Sequence, residues 1–219
     1  MSRSSPSFSS YLTGAALLAL LCAAPAAPAA PASAHGTHAK ASPETELRLA
    51  MRSLWEDHVT WTRLVIVSTA ADLPDREATT ARLLQNQQAI GDAVKPFYGD
   101  VAGEKLAGLL REHIVGAANL LAAAKSGDAA RLEQAKQAWY ANGDEIATFL
   151  SGANPKSWPL EEMRTMMRTH LDLTLAEAVS QLQGRFADSV RDYDRARAEI
   201  LDMAGMLADG IVAQFPKKF

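Results

Sequence analysis

From residue 43 to residue 214 the apolar side chains of this chain recur every three or four positions, and they almost never alternate. A period near 3.6 held over that length leaves little place for a sheet. Alanine is abundant, β-branched residues do not cluster, and no Asn-Gly or Asp-Gly pair separates two alternating runs. The pattern predicts an all-α chain.

The breaks in the pattern divide it. A first helix is predicted over 43–71, with Glu44 and Glu46 in its first turn complementing the macrodipole, and Asp72-Leu73-Pro74-Asp75 stops it. A second, shorter one spans 75–94 and ends in Lys95-Pro96-Phe97-Tyr98-Gly99. Asp100 is the expected cap of a third helix to 125, and Ser126-Gly127 with Asp128 makes a tight turn into a fourth reaching 151. Pro159 opens a fifth that runs to 183, Gly184 bends or breaks it, and a last stretch reaches 214. Connections this short between helices this long favour an up-and-down helical bundle, here four long helices plus one or two shorter ones. No fixed-period repeat stands out, so a solenoid is not expected.

The first 34 residues read as a targeting segment. A polar start with one base, Arg3, precedes an apolar run of about 14 residues, too short for the ~20 of a spanning helix. Small residues follow, and cleavage after Ala32 or after Ala34 fits equally well. Residues 35–43 form a small polar tether, and 44–219 a single domain. The expected destination is the periplasm or the exterior. The one cysteine, Cys22, lies in the leader, so the exported part would carry no disulfide, thiolate site or covalent c-type haem. The leader holds one base and no acid, which leaves about −4 on the exported part against −3 for the whole chain. With no basic block, nucleic acid is not an expected partner, and no second segment is long enough to span a membrane.

The polar residues that interrupt the apolar stripes carry the functional argument. His58 lies in line with Leu47, Met51, Leu54, Trp61 and Val65; His113 with Leu106, Leu109, Leu110, Ala117 and Leu120; His170 with Met163, Met166 or Met167, Leu173 and Gln181, with Glu177 two turns on. The fourth helix adds Asn142, Asp144 and Glu145 beside its stripe. Imidazole with carboxylate suits iron, manganese, zinc or copper, and such groups buried without partners cost several kcal/mol. The candidate metal ligands are therefore His58, His113, His170, Glu177, Asp144 and Glu145. The spacing is wrong for the paired Glu-x-x-His of di-iron bundles. Met163, Met166, Met167 and His170 share a helical face suited to copper(I) or a non-covalent haem, although plain core packing explains a methionine stripe as well. His35 and His38 beside the cleavage site could chelate copper(II). Arg63 is placed to pair with an inward carboxylate.

The segments Leu54-Trp55-Glu56-Asp57-His58-Val59-Thr60-Trp61-Thr62-Arg63, Lys95-Pro96-Phe97-Tyr98-Gly99, Trp139-Tyr140-Ala141-Asn142 and Gln214-Phe215-Pro216 together resemble an uncharacterised family of small bacterial helical-bundle proteins. The resemblance covers about residues 47–219 and implies the helical fold and no activity. Two functions follow from the residues: a bundle that binds a metal ion or metallo-cofactor in its core, or a non-catalytic interaction or stress-related bundle whose histidines only hydrogen-bond. A hydrolytic or redox enzyme built on the same cluster is a third.

Overall fold

A computed structural model describes residues 41–219; the leader with its cleavage sites and Cys22, and the tether histidines His35 and His38, lie outside the described residues. Six α-helices follow one another: α1 (Pro43–Ala70), α2 (Arg76–Tyr98), α3 (Asp100–Ser126), α4 (Ala129–Ala153), α5 (Leu160–Leu182) and α6 (Phe186–Gln214), with a 3-10 turn over Pro216–Lys218. The helices run from 23 to 29 residues. Four helices of 25 to 29 residues and two of 23 agree roughly with four long helices plus two shorter ones.

Local chemistry sets most of the ends. Ser42 Oγ accepts from the backbone N–H of Thr45, and Asp128 Oδ1 accepts from that of Arg131 at 3.0 Å. Gly127 takes the left-handed conformation that closes α3. Two expectations are corrected. Asp100 is the first residue of α3 and makes no capping bond; the capping position is Gly99, at φ 84°. Helix α2 also continues through Pro96 to Tyr98. So late in a helix, proline deprives only the Asp92 carbonyl of a donor, and the turn it sits in is anchored. Phe97 packs on Phe215 and Phe219, and Tyr98 packs on Trp158 and Phe215 and donates to Gln214 Oε1 at 2.6 Å.

Each helix packs on the next, and α6 returns to α1, so the six close into a ring; α1, α3 and α5 also touch one another inside it. Neighbours run antiparallel. Arg48 near the start of α1 pairs with Asp209 near the end of α6, and Arg63 further along α1 reaches Ser189 near the start of α6. The three odd-numbered helices therefore run in one direction, and Lys125 at the end of α3 reaches the Thr69 carbonyl at the end of α1. Among the described residues no helix is long and apolar enough to cross a membrane.

Candidate metal centre

The alternation of directions brings the middle turns of α1, α3 and α5 to one level, and each contributes one histidine there. His58, His113 and His170 are 2, 3 and 4 % exposed. The ring of His170 lies 6.0 Å from that of His58 and 6.0 Å from that of His113, centre to centre. Three imidazoles bonded to one ion at about 2 Å place their ring centres roughly 5 to 6 Å apart. His170 therefore stands near both of the other rings.

The even-numbered helices stand behind the histidines with one polar residue each, of which Asn142 alone hydrogen-bonds its ring. Asn142 on α4 donates from Nδ2 to the Leu109 carbonyl, so its Oδ1 faces His113 Nδ1, 3.0 Å away, as an acceptor. That bond places the hydrogen of His113 on Nδ1 and leaves Nε2 a bare lone pair. Asn86 on α2 makes the equivalent bond one hairpin earlier, Nδ2 to the Leu54 carbonyl at 2.9 Å. Leu54 and Leu109 each precede their histidine by four residues. On α6 the corresponding residue is Glu199, whose Oε2 is 3.3 Å from His170 Nδ1. Histidine and polar residue are separated by 28, 29 and 29 positions in the three hairpins.

The core repeats in the same register. Met51, Leu106 and Met163 lie seven residues before the histidines, Trp55, Leu110 and Met167 three before, and Val59, Ile114 and Leu171 one after; all are buried. Around these polar residues, Leu83, Trp139 and Ala196 lie three before, Ile90, Ile146 and Met203 four after, and Val94, Leu150 and Leu207 eight after, and all are again buried. The ring is three helical hairpins, α1–α2, α3–α4 and α5–α6, whose buried positions repeat in the same register relative to the histidines.

Burial, reinforced by the neighbouring His170, lowers both His58 and His113 to about 3, so both rings are neutral at ordinary pH. Asn86 and Gln87 pull His58 weakly the other way, and Asn142 does the same for His113. The arrangement is nevertheless incomplete. His58 Nδ1, His170 Nδ1, Gln87 Oε1, Glu199 Oε2 and Trp55 Nε1 are all buried without a hydrogen-bond partner, the 3.3 Å approach of His170 to Glu199 being poorly aligned. Among the described residues no three His, Cys, Asp or Glu side chains already stand in coordinating geometry.

The histidines close one side of a cavity of about 30 Å³, otherwise lined by apolar residues that include Met51, Met167 and Met203. A second apolar cavity, of about 50 Å³, lies along the C-terminal halves of α1, α3 and α5, between Val65, Ile114, Leu120 and Val179. The histidines thus form a polar layer in an apolar interior.

The carboxylates expected at the site are placed elsewhere. Glu177 is 1 % exposed, but it meets Arg63 Nη1 at 3.1 Å, and the same Nη1 reaches Ser189 Oγ, which donates to Gln181 Oε1. Arg63 has the inward carboxylate the sequence suggested. Asp144 lies on the outer face of α4 opposite Arg168, and Glu145 is exposed in an open surface groove with Arg111 and Glu112. Both sit one and two positions beyond the inward step of the helix taken by Gly143, whose place a side chain would contest with Leu171.

No family model, curated protein or solved structure matches the chain. The family resemblance therefore rests on the sequence alone, and the function has to be argued from the histidine layer. Glu199, the one carboxylate at that layer, escaped the sequence reading. It stands within Arg195-Ala196-Arg197-Ala198-Glu199, which reads as a solvated face. Its position between Ala196 and Met203, three and four residues away on the buried stripe, was the available signal.

Proposed function

We propose that this chain is an exported helical bundle that takes up one transition-metal ion in its core, between the imidazoles of His58, His113 and His170. The observation that carries the reading is the layer itself: three buried histidines, one from each hairpin, with the His170 ring 6.0 Å from each of the other two and a polar residue behind each ring. In metal sites an acceptor on Nδ1 orients the ring and strengthens Nε2 as a donor, a role that Asn142 fills for His113 and that Glu199, 3.3 Å from His170 Nδ1, is placed to fill for His170. A purely hydrogen-bonded core would leave no ring nitrogen unpaired, whereas His58 Nδ1 and His170 Nδ1 have no partner. The cavity of about 30 Å³ has room for an ion with one or two water-sized ligands and not for a macrocycle. Asp144 and Glu145 are left out of the ligand set, and Glu177 serves the Arg63 pair. Storage, sensing or redox protection fits a closed site better than turnover of a substrate.

The test is the metal content of the protein purified from the compartment to which it is exported, by elemental analysis with a visible spectrum. One equivalent of metal, lost in His113→Ala, is the expected result. The absence of stoichiometric metal, or its full retention by that variant, would overturn the proposal.

A further inference from the structure

Resting on that reading, we infer that the ion is copper held as copper(I), in a trigonal set of three imidazole nitrogens. The arrangement of the hairpins is the first ground. It offers three like donors at one level from three helices running in parallel, and no fourth nitrogen or oxygen donor stands with them in the cavity lining. Iron(II) and manganese(II) complete their shells with carboxylates, whereas three imidazoles and one water also suit zinc(II), so the lining rather than the donor count separates copper(I) from zinc(II). Glu177, Asp144 and Glu145 are all engaged or exposed away from the layer, and the rest of the lining is apolar.

The lining is the second ground. Met51, Met167 and Met203 reach the same cavity from α1, α5 and α6, so the surroundings of the ion are polarisable thioether and hydrocarbon, which favour the soft monovalent state. Glu199, 3.3 Å from His170 Nδ1, is then a positioning residue that aims this ring without bonding to the ion.

The experiment is an anaerobic titration of the purified protein with copper(I) against a chromogenic copper(I) chelator, beside a zinc(II) titration, followed by X-ray absorption of the copper-loaded sample. The expected result is one copper(I) per chain, bound at least 100-fold more tightly than zinc(II), with an absorption edge of three-coordinate copper(I) and scattering from about three imidazoles. Glu199→Gln should keep the fold and the stoichiometry, weaken copper(I) about tenfold and leave zinc(II) weak. One tightly bound zinc(II) lost in His113→Ala, with copper(I) weaker, overturns the copper assignment and keeps the metal centre. Neither ion binding to protein that circular dichroism shows to be folded overturns both. Copper(I) retained by folded His113→Asn and His170→Gln variants also overturns both, because the ion is then held elsewhere. The absorption spectrum of the unmodified protein decides the ligand set even if a variant fails to fold.

Discussion

Arg63 and Glu177 illustrate how a single buried charge constrains this interior. Glu177 is almost wholly enclosed; burial pushes its carboxyl up to about 7, against the pull of Arg63. Arg63→Ala leaves that carboxyl without its partner, and a loss of about 3 to 5 kcal/mol is expected in urea unfolding; a loss below about 1 kcal/mol would show that the pair does not hold the helices. The buried histidines set the pH dependence. His58 and His113 titrate near 3 when folded and near 6.5 when unfolded. Below 6.5 the unfolded chain takes up protons that the folded one refuses, so stability falls with pH, by about 1.4 kcal/mol per unit for each ring. Glu177 acts in the opposite sense: its raised value contributes stability below about 4.5 that is lost as pH rises through 7. Two rings outweigh one carboxyl. Metal-free protein should therefore lose stability steadily from pH 6.5 downward, and more steeply below 4.5. Thermal unfolding in the presence of a chelator at several pH values checks this, and a flat profile would contradict the burial of neutral rings.

The helices themselves were largely legible, because their signals are local. Ser42 and Asp128 cap, Gly127 turns, and Pro159 precedes α5 as composition suggests. What local signals could not supply was the equivalence of the hairpins. The repeated positions share only class, as in Trp55, Leu110 and Met167, and the histidines recur at 55 and then 57 residues, so no fixed period shows. The polar run Gln85-Asn86-Gln87-Gln88 also makes α2 look like a minor element, when Asn86 in fact faces α1 as Asn142 faces α3. Another feature invisible to periodicity is the close crossing of α2 on α3. A Cβ on Gly91 would lie 2.5 Å from the Gly103 carbonyl oxygen and 2.7 Å from Ala107 Cβ, both in rigid parts of α3. Gly91→Ala is expected to cost about 2 kcal/mol or more, although alanine favours helix. Stabilisation by that variant in thermal unfolding would mean that the helices do not approach so closely.

At the scale of the whole molecule, the ring of three hairpins converts three unremarkable core positions into one layer. The sequence pointed to His58, His113 and His170 because each interrupts an apolar stripe, and the His170 ring lies 6.0 Å from each of the other two. It pointed equally to Asp144 and Glu145, which a step of 100° per residue carries to the outside of α4. Trp139 stacks on His113 at 5.2 Å and Trp55 meets His58 edge-on at 5.4 Å, so two tryptophans report on the layer directly. The most direct measurement is anomalous diffraction from crystals of the metal-loaded protein, collected at the absorption edge of the bound metal. A single peak about 2 Å from one nitrogen of each of His58, His113 and His170 is the predicted result. A peak anywhere else, or none in protein that has been offered copper(I) and zinc(II), would contradict it.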